Sequence, residues 1–223
     1  MNLELSPFII SLKTTSVATL IAFILGIYGA KFVVRCDKKY KSIIDGLFTL
    51  PMVLPPTVLG FFLLILFGKH GFLGKALLTI GIQIIFSWWA TVIAAAVVAF
   101  PLMYRTARGA FEQIDENILN AARTLGMSER EIFWKITVPM SWSGIAAGTI
   151  LTFARALGEF GATLMIAGSI PGKTQTMPLA IFFAAESGDM QKALIWVFLL
   201  IIVSLFSIFL MNYWNNHPGN ERE

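Results

Sequence analysis

The chain has 223 residues, a formal net charge of +4, and a composition that is 57% hydrophobic and only 13% charged. A soluble domain carries about 25% charged residues, so a soluble buried-core enzyme is excluded and an integral membrane protein is indicated. The lone Cys36 excludes an intramolecular disulfide framework, and the cations form no basic stripe with interleaved aromatics, which argues against nucleic acid as a partner.

A membrane-spanning helix needs about 20 mostly apolar residues. The first uncharged run is Thr14 to Ala30, and it extends to Val34 because the stem of Lys31 can snorkel, giving a span over 14–34. It is long, and no A-x-A site follows it, which argues against a cleaved signal. A second span covers 46–67 and contains Pro51, Pro55 and Pro56. Such a cluster fits either a kinked helix beside a translocation path or a helix that starts after Pro56. The run Ala76 to Tyr104 is longer than one crossing, and a third span is placed at 80–104. A charged region follows over 112–137, then a fourth span at 138–160 and a fifth at 193–214. Thr174 to Ala185 is uncharged but too short to cross, which suggests a re-entrant or interfacial helix. The fold class is all-α: one polytopic domain over 1–223 with about five transmembrane helices.

Lys and Arg set orientation. The first loop holds Lys31, Arg35, Lys38, Lys39 and Lys41; the third holds Arg105, Arg108, Arg123, Arg130 and Lys135. The second holds only Lys69 and Lys75, and the fourth only Lys173 and Lys192. This asymmetry puts the N-terminus outside and loops one and three, with the C-terminus, in the cytoplasm.

The 112–137 region therefore returns charge to the cytoplasmic side. Ile114, Ile118, Ala121, Ala122 and Leu125 recur at helical spacing and form one apolar face, with Glu112, Glu116 and Arg123 off it. Gly126 suits the left-handed C′ position that ends a helix. Ser128 with Glu131 makes a capping box that starts another, carrying Ile132, Phe133 and Ile136 on its apolar side. Pro139 disfavours helix at Val138, so a bend is expected there. Such a helix–turn–helix either lies on the membrane surface or serves as a knob that docks in a partner's groove.

The stretch "NAARTLG", nine residues, then "ITVP" resembles the cytoplasmic signature of ABC importer permeases, Glu-Ala-Ala, three residues, Gly, nine residues, Ile-x-Leu-Pro. Ala121, Ala122, Gly126, Ile136 and Pro139 match; Asn120 stands in place of Glu and Val138 in place of Leu. The runs "LPMVLPPTVLGFFLLILFG" (50–68) and "RALGEFGATLMIAGSIPGKTQTMPLAIF" (155–182) resemble molybdate permeases in particular. The resemblance implies a type I importer permease of the inner membrane that moves molybdate, with tungstate, sulfate or thiosulfate as alternatives. It implies coupling of Glu116, Asn120, Ala121, Ala122, Leu125 and Gly126 to an ATPase. The implied assembly is two copies of this chain in lipid, a cytoplasmic ABC ATPase dimer, and an extracytoplasmic molybdate-binding protein.

The chain itself shows no catalytic device. It has no Walker A pattern, and the nearest string, "GKTQT" at Gly172, lacks the first glycine at the right spacing. His70 and His217 are far apart, so no metal site and no cofactor are expected. Arg155 and Glu159 are spaced i,i+4 and should share a face of the fourth helix. With regular rise from Pro139, Arg155 lies roughly 24 Å along it. The pair is either a structural ion pair or part of an anion path. Gly158, Gly161 and Gly168 suit close approach of helices at a gate or seam, or packing alone, and Pro55 and Pro56 are further path candidates. A secondary transporter is the competing class, but no inverted repeat is visible.

Overall fold

The computed structural model describes residues 4–215; His217 lies outside them. All regular structure among these residues is helical. The order is α1 (Ser6–Val34), α2 (Lys38–Val53), α3 (Pro56–Phe67), α4 (Phe72–Leu78), α5 (Trp88–Glu112), α6 (Glu116–Thr124), α7 (Glu129–Ile132), a π-helical segment (Phe133–Thr137), α8 (Val138–Met140), α9 (Trp142–Leu157), α10 (Gly161–Ala167), α11 (Met177–Glu186) and α12 (Met190–Asn215). Three helices, α1, α5 and α12, are long and apolar enough to cross a membrane, and the count rises to five if α2–α3 and Glu129–Met140 with α9 are each taken as one bent span.

The bundle is built on α5, which packs against α1 and α9, while α12 lies at the periphery on α9 and α11. Small residues make the central contacts close. Ala18, Ala22 and Ala30 of α1 and Ala94, Ala95 and Ala99 of α5 are all fully or almost fully buried, as helix association without a hydrophobic driving force requires. Buried hydroxyls join the same seam: Thr14 Oγ1 and Thr91 Oγ1 lie 2.9 Å apart, and Trp88 Nε1 donates to Thr14 Oγ1 at 2.9 Å.

Several helix limits differ from the apolar runs. The first helix begins at Ser6, eight residues before Thr14, because Lys13 does not interrupt it; its ammonium lies 4.3 Å over the Trp88 ring. The run at 80–104 is not one helix. Residues 79–87 are irregular, with Gly81 and Phe86 at positive φ, and α5 starts at Trp88. Phe86 is held there by its N–H, which donates to Ile166 O at 3.0 Å. Beyond residue 104, α5 continues two turns, helped by the Arg108–Glu112 i,i+4 pair at 2.9 Å.

The second apolar run is broken rather than kinked. Leu54 and Pro55, each preceding a proline, are extended with ψ of 139° and 138°, as the following ring demands. The two helices meet at 109°. The bend expected at Val138 falls instead at Ser141, where the axes turn by 73°. Val138 stays helical, with φ −64° and ψ −48°, and a π-helical turn ahead of Pro139 relaxes the ladder that the ring interrupts. Ser141 Oγ donates to Ala110 O at 3.2 Å and ties the bend to α5.

One end of the bundle carries most of the charge. Arg108 of α5 pairs with Asp45 of α2, and Lys41 reaches Glu112 at 2.8 Å. Tyr104 also donates its hydroxyl to Asp45 Oδ1 at 2.8 Å. These contacts fix the start of α2 against the end of α5, beside the α6–α7 turn.

Candidate functional site

Two places draw together the residues singled out by sequence. At the charged end lies the α6–α7 turn. Asp115 caps α6, its Oδ1 accepting from the Asn117 N–H at 2.9 Å, with Glu116 in the first turn where the helix dipole favours an acid. The helix ends in a Schellman turn: Met127 N–H donates to Ala122 O at 3.1 Å and Gly126 N–H to Arg123 O at 3.0 Å. Gly126 has φ +81°, and nothing lies within 4 Å of where its Cβ would stand, so the backbone conformation alone demands glycine.

The next helix starts two residues later with both halves of the capping box formed between Ser128 and Glu131. Lys135 donates to Glu131 at 2.9 Å. That bond, with those from Ser128, pulls the Glu131 pKa down to about 2. The turn is thus specified by local chemistry at every position between the helices.

The apolar face expected along α6 divides in two. Ala122 is 4% exposed and faces inward, whereas Ile118, Ala121 and Leu125 are exposed, Leu125 to 83%. Asn120 is also exposed; its Oδ1 accepts from Arg123 Nη1 at 2.7 Å. Arg123 Nε donates to Glu129 Oε1 at 2.6 Å, and this bond holds the Glu129 carboxyl below its usual range. Glu116 is exposed. An exposed stripe of Ile118, Ala121 and Leu125 on a rigidly turned helix offers a partner a small apolar ridge.

The second place is where two helix breaks meet. The α2–α3 break holds Leu54 and Pro55, with Pro56 opening α3, and the α9–α10 break holds Gly158, Glu159 and Phe160. A Cβ on Gly161 would stand 3.1 Å from Pro56 Cβ, and one on Gly60 would stand 2.7 Å from Met165 Cβ and 2.9 Å from Ala162 Cα. The two stretches 50–68 and 155–182 therefore form one packed unit through α3 and α10. Glu159 has left the helix, yet it still pairs with Arg155, Nη1 to Oε2 at 3.0 Å. Its other oxygen accepts the Ala162 N–H at 2.9 Å and caps the start of α10. The Glu159 side chain is 2% exposed and that of Arg155 38%. Because the helix axis turns at Ser141, Arg155 lies about 20 Å along α9 rather than 24 Å from Pro139.

Some anchoring residues escaped the sequence reading. Asp115 was legible as a cap before a helical pattern. Ser11, which accepts the Met177 N–H at 2.7 Å, and Thr174, which accepts the Ile170 N–H at 2.9 Å, carry no local signal. Among the described residues no three His, Cys, Asp or Glu side chains converge as metal ligands do.

The profile of the family described as binding-protein-dependent transport system inner membrane component matches residues 20–217. The molybdenum transport system permease protein ModB of Escherichia coli K12 is 42% identical over 222 residues, covering 97% of each chain. The permease protein YvgM of Bacillus subtilis is 45% identical, covering 95% of this chain and 94% of its own. ModB of Haemophilus influenzae is 42% identical over 95% and 93%. Among solved structures, the inward-facing MetNI methionine ABC transporter superposes with a TM-score of 0.72 at 16% identity, covering 94% of this chain and 93% of that one. A bacterial ABC transporter that imports alginate gives 0.77 at 13%, covering 97% and 80%; both show the shared fold alone. With its apolar helices and these relatives, the chain is a multi-pass inner membrane protein, and it belongs to the family of inner membrane components of binding-protein-dependent transport systems.

Proposed function

We propose that this chain is the permease subunit of an ATP-driven molybdate importer. It works as two copies, with two cytoplasmic ATPase subunits below and an oxyanion-binding protein on the outer side. The observation that carries the reading is the 42% identity to an E. coli molybdenum transport permease over 97% of both chains. The α6–α7 turn supports the ATPase contact: its shape is set by local hydrogen bonds, and Ile118, Ala121 and Leu125 are left uncovered. In this reading the turn is cytoplasmic, as the Lys/Arg asymmetry requires, and Glu116 and Asn120 flank the contact. A fold neighbour solved with an alginate-loaded periplasmic protein supports the third component by analogy of fold.

The path for the oxyanion runs past the meeting of the two helix breaks. Pro55 and Pro56 open the α2–α3 ladder, while Gly161 lets α10 approach Pro56 closely and Gly158 ends α9. Arg155 uses only Nη1 for Glu159 among the described residues, so its other donors can meet an oxyanion. Glu159 limits the net positive charge, which keeps the anion from resting there too long.

The test is reconstitution. The chain, purified from its native membrane, should bring a stoichiometric ATP-binding subunit. In liposomes the complex should take up molybdate only with ATP inside and binding protein outside, with tungstate competing and sulfate competing weakly. Uptake driven by an ion gradient without any ATPase would replace this reading with secondary transport.

A further inference from the structure

Among the described residues, Ile132 and Phe133 seat the segment after the α6–α7 turn in the core, while its polar side-chain link to α1 runs through one carboxylate. Glu129, the first residue of α7, accepts from Arg35 Nη2 through Oε2 at 2.8 Å and through its backbone carbonyl at 3.1 Å. Its Oε1 accepts from Arg123 of α6 at 2.6 Å. Arg35 caps the end of α1, and α1 makes the most extensive helix contact in the chain, along α5. One side chain thus joins three elements: the docking helix α6, the helix that follows it, and the longest span. Apolar burial ties the end of α7 to α1, with Ile132 and Phe133 buried and Lys31 of α1 lying 3.9 Å over the Phe133 ring, whereas Ala122 is the one fully buried residue of α6 among the described residues.

The substitution at position 120 sharpens the point. Asn120, where the related signature has Glu, is neutral and gives Arg123 only an amide oxygen. A carboxylate there would pair with Arg123 inside α6 and connect to nothing beyond it. Glu129 supplies the counter-charge from the next helix and shares it with α1. We infer that Glu129 is a positioning residue that transmits movement of α6 to α1, so that ATP hydrolysis and import stay in step. This rests on the functional reading above.

Exposed ion pairs contribute little to global stability, and the Glu129, Arg35 and Arg123 side chains are all close to half exposed. The link therefore acts on position, and its loss should spare assembly. Without the carboxylate, Arg35 and Arg123 are left as neighbouring like charges and α6 loses its polar link to α1.

The experiment uses the full complex in liposomes and measures molybdate imported per ATP hydrolysed. Glu129→Gln should keep the ATPase subunit and basal hydrolysis within about twofold, while import per ATP falls about fivefold or more, the scale of a typical coupling energy. Arg35→Gln should give the same loss by removing the other side, and serves alone if Glu129→Gln fails to assemble. Glu129→Asp, which keeps the charge, should recover most of the ratio. Asn120→Glu added to Glu129→Gln should not recover it, because Arg123 is then satisfied without reaching α1. A normal ratio in Glu129→Gln or in Arg35→Gln, or full recovery by Asn120→Glu, would overturn the inference. Failure of the wild-type complex to retain an ATPase would instead strike at the functional reading itself.

Discussion

Arg155 and Glu159 are paired at 3.0 Å across the point where α9 ends, so an i,i+4 spacing survives although the second residue is no longer helical. Glu159 is almost fully buried and also caps α10. Arg155→Ala would leave that carboxylate buried without its cation, at a cost of about 3 kcal/mol, the lower end of the usual range because Arg155 is partly exposed. Expression and thermal stability in detergent should fall, and Arg155→Ala with Glu159→Ala should recover part of the loss. Normal stability of Arg155→Ala with abolished uptake would remove the structural role and leave the pair its place on the anion path alone.

Gly60 lets α3 pack tightly on α10. A methyl group there would stand 2.9 Å from Ala162 Cα, a backbone atom that cannot turn away. Gly60→Ala should destabilise the protein by about 1–3 kcal/mol through overpacking. Gly46, inside α2 with nothing within 4 Å, is the control: Gly46→Ala should be neutral or stabilising by about 0.5–1 kcal/mol. Thermal melts of the two variants in the same detergent decide it.

The capping box gives a pH dependence. The Glu131 pKa is depressed to about 2 from an ordinary 4.5, so the unfolded state binds its proton first as pH falls. The stabilisation is fully present above about pH 4.5 and is lost on descending through about pH 2. Glu131→Gln should therefore open the turn to amide hydrogen exchange at pH 6, and its difference from wild type should shrink as the pH approaches 2. A difference unchanged down to pH 2 would show that the charge of Glu131 plays no part.

Orientation is tested at Cys36, a free, half-buried thiol one residue beyond Arg35. In intact cells a membrane-impermeant thiol reagent should leave it unlabelled and should label it after permeabilisation. Labelling from outside would invert the topology and remove the α6–α7 turn from reach of any cytoplasmic ATPase.

The sequence was most legible where structure is made by neighbours. Gly126, Ser128 and Glu131 state their turn within six residues, whereas Pro55 with Pro56 left a kinked helix and a helix starting after Pro56 both open. Composition alone identified a membrane bundle. What could not be read depends on distant partners: the extension of α1 past Lys13 needs the Trp88 ring, and the start of α5 at Trp88 needs Ile166 to hold Phe86. The displacement of the bend from Val138 to Ser141 has the same origin in part, since Ser141 is tied to the distant Ala110 carbonyl. How the apolar face of α6 divides, with Ala122 buried and Ile118, Ala121 and Leu125 exposed, was illegible for a related reason, because periodicity shows which residues align but not which of them the bundle covers.

Gly126→Val bears most directly on the central claim, that the α6–α7 turn couples this membrane chain to an ATPase. The site has space for the side chain but a φ of +81° that valine resists, a strain of about 1–3 kcal/mol confined to the turn. The measurement is ATP hydrolysis stimulated by molybdate-loaded binding protein, with retention of the ATPase subunit, in purified complex beside wild type. The account predicts a variant that inserts and dimerises normally yet loses stimulated hydrolysis or sheds the ATPase. Full retention with wild-type stimulation would contradict it and reduce the turn to a passive surface loop.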